Sequence, residues 1–98
     1  MKKLDPKTEV ETLRVRVTGK VQGVGFRMAA VRRAHSLGVA GWVRNLEDGS
    51  VEVLLQGAHD SVDQMLSWLH VGPPAARVDG LESEEMREDR LYDRFEQI

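Results

Sequence analysis

Leu13, Val15 and Val17 alternate with Arg14, Arg16 and Thr18. Period two with one apolar side predicts a half-buried strand. Gly19 to Gly25 holds three glycines in seven residues and predicts a loop. The period then changes. Phe26, Ala29, Ala30, Ala34 and Leu37 fall at steps of three and four, so they share one face of a helix, with Arg32, Arg33 and Ser36 on the other. Gly38 stands where a C′ glycine ends that helix. Val39 to Leu46 and Val51 to Gln56 predict two more strands, and Glu47-Asp48-Gly49 between them signals a hairpin. Val62, Met65, Leu66 and Leu69 form a second helical stripe, with Asp60 or Ser61 as its expected N-cap and Gly72-Pro73-Pro74 as its stop. Ala76 to Glu84 predicts a fourth strand anchored by Val78 and Leu81. Residues 84–91 are charged and expected to be a loop, and Phe95 and Ile98 suit a short last strand.

The order is therefore β-α-β-β-α-β with an added terminal strand. This is the split βαβ, ferredoxin-like order: an α+β sandwich with an antiparallel sheet and both helices on one face. The fold hosts many unrelated functions and names none of them. Residues 1–11 are polar, include Pro6, and are expected to be a flexible leader to a single domain over 12–98. A chain of 98 residues is long enough for one real core. At 41% hydrophobic and 31% charged it is neither collagen, coiled coil nor wholesale disorder. It has no cysteine, which removes disulfides, thiol nucleophiles and thiolate metal sites together. With no apolar run near ~20 residues and no signal-peptide pattern, the expected location is the cytoplasm.

Charge is unevenly spread. Thr12 to Leu46 contains seven cations and no acid, whereas Glu47 to Ile98 contains thirteen acids against four arginines. Two readings fit. The cationic stretch attracts an anion or a phosphate backbone, or the two halves fold against each other. Nucleic-acid binding is disfavoured, because the strands around Leu13–Val17 and Val51–Leu55 lack the aromatics on which such modules stack bases.

The loop before the first helix carries the chemistry. Glycines let backbone N–H groups point inward, and the helix start adds unpaired N–H groups and the positive end of its dipole. An anion-binding concavity results, with Arg27 at its edge offering a planar donor fork to two phosphate oxygens. The spacing is neither Walker A nor Gly-x-Gly-x-x-Gly. The plainer reading also stands, since a strand-to-helix loop needs glycine for its geometry alone. Asn45, at the end of Gly41-Trp42-Val43-Arg44-Asn45, can accept a hydrogen from a water and leave a lone pair free; it also suits turn geometry. Arg44 and Asn45 cannot share a face of a regular strand. His35, His59 and His70 are scattered, without ligand spacing or a carboxylate partner, and no metal is expected.

Together the two segments resemble the acylphosphatases. Gly19-Lys20-Val21-Gln22-Gly23-Val24-Gly25-Phe26-Arg27 is similar to the first signature of that family. Leu37 to Asn45, with Asp48-Gly49-Ser50-Val51-Glu52, is similar to the second. Gly72 to Val78 and the Phe95-Glu96-Gln97-Ile98 ending resemble its C-terminal half, so the likeness runs over about residues 12–98. It implies the ferredoxin-like fold and hydrolysis of acyl phosphates to a carboxylate and inorganic phosphate. It further implies a monomer with a small-molecule substrate and no cofactor, metal, nucleic acid or membrane. By the same resemblance Arg27 binds the phosphate together with the backbone amides of Gln22, Gly23, Val24, Gly25 and Phe26, and Asn45 orients the attacking water. One departure is evident. Relatives often carry an aromatic and a hydroxyl two and three residues after the arginine, where this chain has Ala29 and Ala30, which bears on side-chain packing near the pocket.

Overall fold

A computed structural model describes residues 10–87 and 89–98. The elements are β1 (Val10–Lys20), α1 (Phe26–Leu37), β2 (Ala40–Asn45), β3 (Val51–Ala58), α2 (His59–Leu69), β4 (Arg77–Glu85) and β5 (Phe95–Gln97). The sheet order is β4-β1-β3-β2-β5. The expected α+β, ferredoxin-like arrangement is present. No helix among the described residues is long and apolar enough to cross a membrane.

The core lies between one sheet face and the two helices. Val15, Val17, Val43, Val51, Val53 and Leu55 point inward from the strands. Phe26, Ala30 and Ala34 meet them from α1, and Val62, Met65 and Leu69 from α2. Every inward strand position belongs to one parity of the alternation, as a pleated strand requires. The register matches it: Val15 lies opposite Val53, which lies opposite Val43.

The other face of the sheet resolves the charge pattern. Across neighbouring strands Glu82, Arg16, Glu52 and Arg44 form one row. Arg16 pairs with Asp48 and Glu82, Arg44 with Glu52, and Arg14 with Glu84. Arg44 also stacks over the Trp42 ring at 5.2 Å. For these three arginines, the folding of oppositely charged halves against each other is the right reading. Lys20, Arg27, Arg32 and Arg33 have no Asp or Glu partner among the described residues.

Several boundaries differ from the sequence reading, each for a local reason. Of the expected leader, residues 1–9 lie outside the described residues, but Val10 and Glu11 belong to β1, paired with Ala58 and Gly57. Neither Asp60 nor Ser61 caps α2. The helix starts at His59 after an extended Ala58, with no side-chain cap. Glu84 and Glu85 extend β4 into the expected loop, opposite Arg14 and Leu13. His59 does have a carboxylate partner, Glu11, at 2.7 Å.

The sheet is also not wholly antiparallel, because β5 runs parallel to β2. The cause is the route of the chain. β4 and β5 lie at opposite edges, so the connecting segment must cross the sheet, and it crosses at the end where β4 finishes. Met86 donates to the Thr12 carbonyl, and the buried Gln56 carboxamide donates to the Arg90 carbonyl and accepts from the Tyr92 amide, each at 2.8 Å. A strand entered from that end must run toward the opposite end. β5 therefore finishes where β1 and β2 finish. Phe95, 2% exposed, anchors it in the core.

Phe95→Ala is expected to cost about 3–5 kcal/mol and to loosen β5. Urea unfolding of the variant beside the parent measures it, and a change under about 1 kcal/mol would refute this anchoring.

Candidate active site

β1, β2 and β5 all end at one end of the sheet, and α1 begins there. Between β1 and α1 the loop turns twice into left-handed backbone, at Gly23 (φ 72°) and Gly25 (φ 77°). A Cβ built at either would meet nothing within 4 Å, so the need for glycine is conformational and the space beside them is open. Alternating signs of φ turn successive N–H groups toward one side, the geometry of an anion nest. The first helical bond of α1 is Ala29 N–H to the Gly25 carbonyl, at 3.0 Å. The amides of Phe26, Arg27 and Met28 are therefore left without intrahelical acceptors. α1 carries no acid in its first turn to occupy its dipole.

A hollow of about 210 Å³ lies here. Gln22, Gly23, Gly25, Phe26 and Arg27 line it from the loop and helix, and Asn45 from β2. The side chain of Val24 packs against the core. Arg27 and Asn45, eighteen positions apart in sequence, thus face one space. Arg27 extends Nη1 to the main-chain oxygen of Ile98 at 3.4 Å and meets no Asp or Glu side chain among the described residues. Asn45 has the strand parity of the buried Val43, which turns it toward the helix side, while Arg44 lies on the opposite face with Glu52. Among the described residues no Asp, Glu, His or Cys side chain lines the hollow. A ring of N–H donors, one guanidinium and a neutral carboxamide can hold a tetrahedral anion and a water beside it. A larger depression of about 460 Å³ lies beside β5 around Trp42 and Arg94, and it lacks this convergence of amides.

A model of the acylphosphatase family matches residues 13–97. The chain belongs to the acylphosphatase family. It is 61% identical over 88 residues to an acylphosphatase of Paraburkholderia xenovorans, covering 90% of this chain and 91% of that one. Its structure is similar to that of an acylphosphatase from Coxiella burnetii, with a TM-score of 0.86 at 38% identity over 91% of this chain and 93% of that chain. The acylphosphatase of Bacillus subtilis gives the same TM-score at 33% identity, over 90% and 98%.

The two alanines that depart from the usual family pattern do not line the hollow. Ala30 is fully buried in the core, and Ala29 faces a shallow groove with Trp68 and Pro73. Three residues that do line the hollow, Val21, Met28 and Gln97, were not singled out from sequence. Gln97 arrives through β5, whose parallel course no local pattern announces. The side chain of Gln22 was also missed. Its Nε2 donates to the Leu46 carbonyl at 2.8 Å and to the Ser50 carbonyl at 2.9 Å. The signal was present: a long amide amid glycines is not a loop-geometry residue.

The hairpin after Asn45 is held by Asp48. Its carboxylate accepts from the Ser50 hydroxyl and amide and from Arg16. These bonds, from Ser50 first and Arg16 next, hold the Asp48 carboxyl well below the usual carboxylate range. A depressed folded pKa means that the unfolded chain takes up a proton first as pH falls. The contribution of Asp48 is thus complete above about pH 4 and is lost as pH drops toward its depressed folded value. Asp48→Asn is expected to be less stable than the parent at neutral pH and to lose stability less steeply below about pH 4. Urea midpoints across that range measure both, and parallel curves for the two proteins would contradict it.

Proposed function

We propose that the protein hydrolyses acyl phosphates at this hollow, with no metal ion. One observation carries the reading: Arg27, the amide-lined loop and Asn45 share a single small space, in a chain that belongs to the acylphosphatase family. The acyl oxygen leaves as a carboxylate whose conjugate acid has a pKa near ~4. Such a group departs without a strong general acid, which suits a hollow that none of the described acids lines. Catalysis then rests on position and charge.

The phosphoryl oxygens sit in the amides of residues 22–26 and on the Arg27 fork. These donors strengthen as charge redistributes in the transition state. Asn45 accepts one hydrogen of a water and aims its lone pair at phosphorus, opposite the acyl oxygen. The water oxygen bonds to phosphorus, the bond from phosphorus to the acyl oxygen breaks, and the electron pair leaves with the carboxylate. The water's proton passes to a phosphoryl oxygen, giving inorganic phosphate. One chain supplies all of these groups, so the proposed working unit is a monomer with a small-molecule substrate. A sequence without cysteine suits a reducing cytoplasm.

Turnover of benzoyl phosphate, with a phosphomonoester as control, tests the reading. Arg27→Ala is expected to lose phosphate affinity and about 10³-fold in kcat/KM. Asn45→Ala is expected to bind inorganic phosphate like the parent and to lose about 10²- to 10³-fold in kcat. A folded Asn45→Ala protein at the parent rate would end its role in holding the water. Turnover should persist in EDTA; activity lost there and restored by Mg²⁺ would end the metal-free mechanism.

A further inference from the structure

We infer that the side chain of Gln22 is a positioning residue for the reaction. It locks the phosphate loop to the hairpin that carries Asn45. The inference rests on the proposed function and adds to it a role for a side chain whose backbone alone had been given one.

β1 and β2 are not neighbours, because β3 lies between them. The loop leaves β1, Asn45 ends β2, and the two meet only above the start of β3. Gln22 spans this place. Leu46 directly follows Asn45, and Ser50 directly precedes β3. Their carbonyls both receive the Gln22 Nε2 hydrogens, at 2.8 and 2.9 Å. Both carbonyls also accept from within the hairpin, Leu46 from the Gly49 amide and Ser50 from the Leu46 amide. The carboxamide thus closes the mouth of the turn. Its orientation is fixed, since the flipped amide would press an oxygen against two acceptors. Behind the turn, Ser50 is 3% exposed and bonded to Asp48, which Arg16 holds in turn.

A glycine-rich loop has little side-chain packing to fix it, and a strand end frays. Two bonds from one half-buried amide join both to a single frame. Their loss leaves the nest and Arg27 able to take phosphate but lets Asn45 drift from the line of attack. A displacement near 1 Å is enough to cost about 10²-fold in rate.

Gln22→Met keeps the volume and removes the donors. For benzoyl phosphate its kcat is expected to fall about 10- to 100-fold. The inhibition constant of inorganic phosphate should stay within about twofold of the parent's. The double variant Gln22→Met/Asn45→Ala should turn over no more slowly than Asn45→Ala alone, because Gln22 acts through Asn45. Gln22→Glu, of the same shape, should lose more rate near neutrality and regain it relative to the parent as pH is lowered and its carboxyl gains a proton to donate. A parent-like kcat in Gln22→Met, losses that multiply in the double variant, phosphate affinity falling as far as kcat, or a flat activity ratio for Gln22→Glu would each overturn the inference. A parent protein inactive on benzoyl phosphate would instead sink the proposed function. The clamp is then read from amide exchange, which should rise about tenfold at residues 46–50 in Gln22→Met and would refute the clamp by staying level.

Discussion

A strand that contributes nothing to the hollow sets its dimensions. β3 separates β1 from β2, so the loop leading to Arg27 and the strand carrying Asn45 start two strand spacings apart, about 10 Å. That distance is fixed by the core. Val53 lies between Val15 and Val43 in register, and all three are fully buried. A slip of one residue would turn these valines outward and their charged neighbours inward, so the register is strongly specified. The loop has to reach across the start of β3, and its two left-handed glycines let it turn tightly enough to do so. The hollow is the space left beneath that bridge.

Electrostatics follow the same geometry. On the open face, carboxylates from β3, β4 and the hairpin meet Arg14, Arg16 and Arg44. These pairs are exposed, and each adds little stability. Their larger effect is on the distribution of field. With the open-face arginines matched, Lys20 at the end of β1 and Arg27 at the start of α1 stand without an Asp or Glu partner among the described residues. These two cations add positive potential beside the nest, where a dianion needs it. A cationic stretch in sequence therefore served two purposes in space, and the sequence alone had no means of dividing them.

What the sequence conveyed and what it withheld differ in range. The alternation through Leu13–Val17 and the stripe of Val62, Met65 and Leu69 are imprinted by burial of one face, and burial repeats at the period of the element. They could be read locally, as could the glycines before Phe26. The start of α2 could not. Two good capping residues stood at 60 and 61, but the chain turns into the helix directly from Ala58 at the end of β3. The direction of β5 depends on where the chain between β4 and β5 crosses the sheet, a crossing held by bonds to Thr12 and Gln56, far earlier in the sequence. The pairing of Gln22 with Leu46 and Ser50 is of the same kind, a bond between segments whose approach only the whole fold brings about. Arg27 and Asn45 were recognisable because they lie in long motifs in register. Gln97 lies outside both.

Ala29 and Ala30 follow Arg27 closely in sequence yet lie away from the hollow, and packing explains why. Ala30 has no exposed surface and lies in the core under the sheet, so its size is a matter for the core alone. Ala29 leaves a shallow groove of about 370 Å³ between α1 and the Gly72–Pro74 segment. Trp68, from α2, lines that groove, and its ring lies 5.7 Å from the ring of Phe26. Phe26 is the first residue of α1 and a wall of the hollow. Gly72, in the same groove, approaches so closely that an added Cβ would lie 2.8 Å from the Phe26 ring. The support of the helix start thus comes from α2 and from the turn after it, not from position 29. A short residue there shapes the outer surface of α1, while the Phe26 ring at the helix start is held by Trp68 and Gly72.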